Sequence, residues 1–325
     1  MSTLVAPGIH RITTPLGGRP SSVHAYLVEL EGGGWLLVDG GADTADAWAA
    51  LDEGVREVAG AWSRVAAHLV THMHLDHVGL VARVRRASGG APLLMGRLDA
   101  ERRAHAAAHP AEEAAYRARL LRENGAPSEV VEAIGRPPQG TGERAEIVAV
   151  DHALGGEGGA IPGAAGWRWI WTPGHTAGHL SLFRSSDDTL IAGDAVLPRI
   201  TPTLGVNRQR VDPVGDYLDA LDRIDAATPA LVLPGHGAPI REAARRTAEL
   251  REATLAEARA VEALLSGEPR SAWELAARRY AGRDLPLAVR MLALRELLAH
   301  LHRLAALGAA AAVTAPDGVA RYASA

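Results

Sequence analysis

The stretch Thr71-His72-Met73-His74-Leu75-Asp76-His77 follows a short apolar run, Val65 to Val70, with the length and composition of a buried strand. Imidazoles and a carboxylate crowded this closely cost free energy to bury unless a cation or a hydrogen-bond partner compensates each of them. Val78 to Arg86 beyond them has helical spacing, so the local order is strand, polar loop, helix. Further along the chain the pattern recurs. Thr172-Pro173-Gly174-His175, Ala192-Gly193-Asp194 and Pro234-Gly235-His236-Gly237 each follow an apolar run, as does Asp39-Gly40-Gly41 earlier. Chemistry placed where strands stop is the pattern of an α/β protein whose loops carry its site.

Histidines two residues apart on a loop can turn both imidazoles to one side. Asp76 and His77 then fall at the start of the following helix, where backbone N–H groups favour an ionised carboxylate. One short segment can therefore serve two adjacent cations. Imidazole and carboxylate without thiolate suit zinc, and also manganese or iron. The chain contains no cysteine, which excludes thiolate zinc sites, a disulfide framework and a cysteine nucleophile. Nor does it contain lysine, so Schiff-base and P-loop chemistry are excluded as well.

With 325 residues, 47% of them hydrophobic and 22% charged, the chain can bury a sizeable core in one or two domains. A formal charge of -4 gives no general attraction to nucleic acid or an anionic membrane. The opening residues Met1 to Gly8 have no basic segment followed by an apolar one, and no later run approaches membrane-spanning length. The expectation is a cytoplasmic protein without a membrane partner.

Around the polar loops, Val23 to Leu30 and Trp35 to Val38 read as a strand pair turning at Gly32-Gly33-Gly34, and Ala45 to Val58 as a helix. Leu98 to Gly135 is helical and charged, with a break at Asn124-Gly125-Ala126-Pro127 that predicts two helices. Such an insertion is either a cover for the active site or a solvated decoration. Strand pattern resumes at Glu146 to Val150, then at Trp167, Trp169 and Trp171, whose alternation puts three indoles on one face as core packing. Leu180 to Phe183, Thr189 to Ala192 and Ala230 to Leu233 are further strands.

After Pro239 the chain reads as helices, about Arg241 to Leu265, Ala272 to Arg279 and Leu287 to Leu307, closed by a hairpin about Pro316-Asp317-Gly318. Three helices and a hairpin predict a small winged-helix-like domain over residues 241–325, beside a catalytic domain over residues 1–240. This module holds 13 arginines against 10 acids, interleaved with glutamates. Packing or a homodimer interface is therefore expected of it before nucleic-acid binding.

Taken in order, the motifs Asp39-Gly40-Gly41, Thr71 to His77, Thr172 to His179, Ala192-Gly193-Asp194 and Pro234 to Gly237 resemble the metallo-beta-lactamase superfamily over about residues 8 to 240. The likeness is greatest to its hydroxyacylglutathione-hydrolase-like branch. The resemblance implies a four-layer αββα sandwich with the winged-helix-like domain appended. It also implies that His72, His74 and His175 bind one Zn2+ and that Asp76, His77 and His236 bind a second, with Asp194 and a hydroxide bridging the two. Asp76 would also orient the hydroxide, which would attack the carbonyl of a small thioester, ester or lactone. A carboxylate at 194 disfavours penicillins, because lactam-cleaving members usually carry cysteine or serine there. His179 is expected to support the ligands rather than join them, Asp39 to fix a ligand loop, and Arg199 to contact a substrate anion or form a structural ion pair.

The pairing with a winged helix resembles the beta-lactamase-like-protein-2 group, which includes RNA-cleaving enzymes. A metal-dependent endoribonuclease is thus the alternative, and it would need a continuous basic groove. A lactam-cleaving amide hydrolase also remains open, as does an iron enzyme on the same scaffold. The flavin-partnered diiron relatives carry glutamate in place of the second histidine of the cluster, here His74.

Overall fold

In a computed structural model, residues 2–135 and 147–325 are described. Strands β1 (Ser2–Ala6), β2 (Ile9–Pro15), β3 (Ser22–Glu29), β4 (Trp35–Val38), β5 (Val65–Val70), β6 (Leu93–Gly96) and β7 (His152–Leu154) form one sheet in sequence order. The first four pair antiparallel, and β4 to β7 run parallel. A second sheet, in the order β12-β11-β10-β9-β8, contains β8 (Gly158–Ala160), β9 (Trp167–Trp171), β10 (Leu180–Arg184), β11 (Thr189–Gly193) and β12 (Leu231–Pro234). Its β11 and β12 pair parallel and its other neighbours antiparallel.

The inner faces of the two sheets meet through Tyr26, Val28, Leu36, Val38 and Leu69 on one side and Trp167, Trp169, Leu182 and Leu233 on the other. On the outer face of the first sheet lies α1 (Ala45–Ala59). Its buried Ala47, Leu51, Val55 and Ala59 recur every fourth residue, so they form one stripe. The Thr44 side chain accepts from Ala47 N at 3.1 Å to start this helix, and Gly60 at φ 79° ends it. Two further helices, α2 (Leu75–Val78) and α3 (Val81–Ala87), follow the histidine loop where the sequence predicts a single one. The next three, α4 (Arg97–Ala108), α5 (Pro110–Glu123) and α6 (Ser128–Gly135), make up the insertion.

On the outer face of the second sheet, Ile170, Phe183, Leu190 and Val232 share a buried cluster with α7 (Pro213–Ala227), which completes a four-layer αββα sandwich, and with α8 (Ala243–Ala263) and α10 (Leu287–Ala306), which pack on α7. Between α8 and α10 lies α9 (Ala272–Arg279). The chain ends in a small sheet in which β15 (Ala320–Ser324) lies between β13 (Arg270–Ser271) and β14 (Ala310–Thr314).

Several sequence expectations change. The insertion is three helices, because Pro110 has no N–H to continue a helix and biases His109 away from helical geometry, to φ -127° and ψ 57°. Residues 147–150 form no strand, and Glu146 lies outside the described residues; the ladder is joined instead by β7, two residues past Val150. The helix α7 has no counterpart among the sequence expectations, although Asp212 caps it, Pro213 opens it, and Tyr217, Leu221 and Ile224 bury one face. Trp167 and Trp169 sit between the sheets, while Trp171 is half-buried, with its indole N–H on Ala177 O at 2.9 Å.

Candidate metal centre

The C-terminal ends of β4 and β5, and those of β11 and β12, converge at one edge of the sandwich. Leu180 N donates to Thr71 O at 2.9 Å, and Gly235 N donates to Gly193 O at 2.7 Å, tying the loops to one another. A Cβ on Gly235 would overlap Asp194 Oδ1 and the His77 ring, so only glycine lets this loop close on the centre.

The seven residues singled out in the sequence come together here. Ring nitrogens of His72, His74 and His175 lie within 4.8 Å of one another, and so do the donor atoms of Asp76, His77 and His236. Asp194 faces both groups. Its oxygens lie 3.7 Å from His175 Nε2, 3.5 Å from His77 Nε2 and 3.4 Å from His236 Nε2.

The outer ring nitrogens decide which inner ones are free. His77 Nδ1–H donates to Asp39 Oδ2 at 2.8 Å, His175 Nδ1–H to Thr203 O at 2.9 Å, and His236 Nδ1–H to Ser22 O at 2.7 Å. Each acceptor is a carboxylate or carbonyl, so each Nδ1 carries a proton and Nε2 is the nitrogen that faces inward, offering a lone pair whenever the ring is neutral. His77 Nε2, His175 Nε2 and Asp194 Oδ1 are buried without a hydrogen-bond partner among the described residues, an expensive arrangement that a divalent cation would relieve. The donor set therefore fits two metal ions. His179 is excluded by the same reasoning: its Nε2 accepts from Asp194 N at 3.1 Å, and its Nδ1–H is directed to Thr172 Oγ1 at 2.8 Å.

Electrostatically the two groups differ. Burial pushes His72 well below its ordinary value, His74 down to about 3 and His175 down as well, with the neighbouring imidazoles adding to the effect for the first two. Against the same burial, Asp39 and Asp194 raise His77 to about 9, and Asp194 and Asp76 raise His236 to about 10. Asp76 is held below the ordinary carboxylate range by His236 and His77 although burial opposes it, so it is ionised at neutral pH.

Two buried carboxylates hold the loops. Asp39, at φ 59°, accepts from Thr71 N at 2.8 Å and from His77, fixing the loop as the sequence predicts. Asp99 is not among the residues that the sequence singles out. It accepts from Met73 N at 2.9 Å, Thr176 Oγ1 at 2.7 Å and Gly178 N at 2.7 Å, joining the His72–His74 loop to the His175 loop. Its only sequence signal is an acid in the first turn of α4.

A cleft of about 240 Å³ opens over the centre, lined by His74, Asp76, His175, Asp194 and His236 together with Leu197, Ile200, Pro202, Leu292 and Arg295. Arg199 is exposed and does not line it. Among the described residues, the insertion contributes nothing to the lining either; Leu121, Val130 and Ile134 pack with the C-terminal core, and Tyr322 Oη donates to Asn124 Oδ1 at 3.2 Å.

Fold and site together define a metal-dependent hydrolase. Residues 18–236 match the model of the metallo-beta-lactamase superfamily, and the chain belongs to that family. It is 27% identical over 253 residues to the probable metallo-hydrolase YqjP of Bacillus subtilis, covering 71% of each chain. A 146-residue segment, 45% of this chain and 46% of the other, is 30% identical to a beta-lactamase-like protein 2 homolog of Caenorhabditis elegans. Among solved structures, a metallo-beta-lactamase family protein from Thermus thermophilus aligns with a TM-score of 0.79 at 30% identity, over 99% of this chain and 100% of that one. No helix among the described residues is long and apolar enough to cross a membrane.

Proposed function

We propose that the chain is a dinuclear zinc hydrolase that cleaves a small thioester, ester or lactone at its carbonyl. The observation that carries this reading is Asp194 lying between two compact ligand triads on the floor of a cleft with apolar walls. His72, His74 and His175 would hold one ion and Asp76, His77 and His236 the other, with Asp194 placed to touch both. When bound, such a pair supplies a water ionised near neutral pH and positive charge for a carbonyl oxygen.

The chain's own residues supply the rest. Asp39, Thr203 and Ser22 fix the imidazoles so that no ring has to reorient during reaction. Asp76, ionised and lining the cleft, is placed to orient the attacking water. Leu197, Ile200, Pro202 and Leu292 offer the apolar surface that would receive the acyl portion.

Small substrates are favoured over RNA because the arginines of the C-terminal helices are largely paired. Arg246 meets Glu249, Arg279 meets Glu257 and Arg303 meets Asp212, so much of the positive charge along these helices is offset. The test is zinc content per chain measured alongside hydrolysis of thioesters, lactones, cephalosporins and short RNA. Two zinc equivalents with thioester or lactone turnover insensitive to salt is the expected result. Cleavage confined to RNA, with activity falling steeply as salt rises, would refute the acyl-substrate reading.

A further inference from the structure

Among the residues lining the cleft over the metal centre, Arg295 is the one ionisable side chain outside the two ligand triads and Asp194. It reaches the cleft from α10, far beyond the last ligand in the chain, and no carboxylate of the described residues pairs with it. Its Nη2 donates to Val206 O at 3.0 Å, which leaves most of the guanidinium's donors for a ligand. The residue is exposed at the mouth of the cleft, so a ligand entering from solvent can reach it. One helical turn back, Leu292 lines the same cleft, and it is exposed there as Ile200 is on the facing loop. An apolar wall ending in one accessible guanidinium without a carboxylate partner is complementary to an apolar chain ending in a planar anion.

We propose that Arg295 is a specificity-determining residue that binds a carboxylate at the non-reacting end of the acyl substrate. This rests on the acyl-hydrolase reading and narrows its substrate class to carboxylate-bearing thioesters, esters or lactones. A single cation matches a monoanion, and its planar fork can hold both oxygens of a carboxylate.

The test compares zinc-loaded wild type with Arg295→Gln and Arg295→Lys on S-aryl thioesters of glutaric acid and of its monoamide, which differ only in that end. The wild type should prefer the carboxylate substrate in kcat/KM by about 10- to 100-fold, mainly through KM. In Arg295→Gln, which keeps a donor for Val206, the ratio should collapse towards one, and Arg295→Lys should restore part of it. Equal losses on both substrates, leaving the ratio intact, would show a merely structural arginine and overturn the proposal. Calorimetric binding of glutarate against its monoamide gives a readout that needs no turnover. A preference in the wild type that disappears in Arg295→Gln supports the proposal even if neither thioester is cleaved, in which case only the thioesterase reading fails. No preference in the wild type overturns it.

Discussion

The two halves of the centre are built from similar donors but prepared in opposite ways. In the His72/His74/His175 half, imidazoles crowd one another and burial disfavours their protonation. In the Asp76/His77/His236 half, carboxylates surround the imidazoles and favour protonation. Their supports differ in kind as well. Asp39 bonds a ligand ring directly, so it acts on both geometry and basicity, whereas Asp99 bonds two backbone N–H groups and a hydroxyl and acts on geometry alone. One half is ready for a cation at neutral pH, and the other must release protons to receive one.

The severest way to break this contrast is to remove the group both halves share. Asp194→Ala should lose one zinc equivalent and reduce kcat/KM by at least about 10³-fold, roughly 4 kcal/mol of barrier. Metal analysis with steady-state kinetics checks it, and wild-type values for both would contradict a bridging position. Asp99→Ala strikes only the first half. Two buried donors and one half-buried one lose their acceptor, and chemical denaturation of the zinc-loaded protein should show a loss of about 3 kcal/mol. A loss under about 1 kcal/mol would mean that the two loops stay together without it.

Titration sharpens the contrast. In the metal-free protein the raised His77 and His236 are protonated at pH 7, so a cation entering that half displaces up to two protons. Its affinity should fall by up to about 100-fold per pH unit as pH drops below about 9. The first half, with His74 near 3, should lose no affinity to protons until well below pH 6.5. Chelator competition between pH 8 and 5 should therefore show one zinc equivalent weakening steeply and the other holding; parallel weakening of both would contradict the assignment. Asp39→Asn has the smallest expected effect, about 10- to 100-fold in the affinity of the weaker equivalent alone. Equal weakening of both equivalents would show that Asp39 organises the whole loop rather than His77.

Much of the fold was legible because it is periodic. Val65–Val70, Trp35–Val38 and Ala272–Arg279 fall where their apolar spacing puts them, since burying one face or a whole short strand is decided within a few residues. Elements that depend on partners were not legible. The strands β1 and β2 at the exposed end of the first sheet and the helix α7 became elements by pairing and packing with distant segments. The insertion, read as a cover for the site or a decoration, docks instead on the C-terminal core, because its apolar stripe of Leu121, Val130 and Ile134 finds its complement there.

The sequence by itself determined the identity of the seven candidate ligands, because histidine and aspartate at strand ends are scarce and chemically costly to bury, and that signal survives without coordinates. Tertiary structure alone decided which ring nitrogen faces inward, that Asp99 joins two ligand loops, and that Arg295 rather than Arg199 enters the cleft. Each of these depends on a hydrogen bond or a packing contact between segments far apart in the chain, and local spacing carries no information about such contacts.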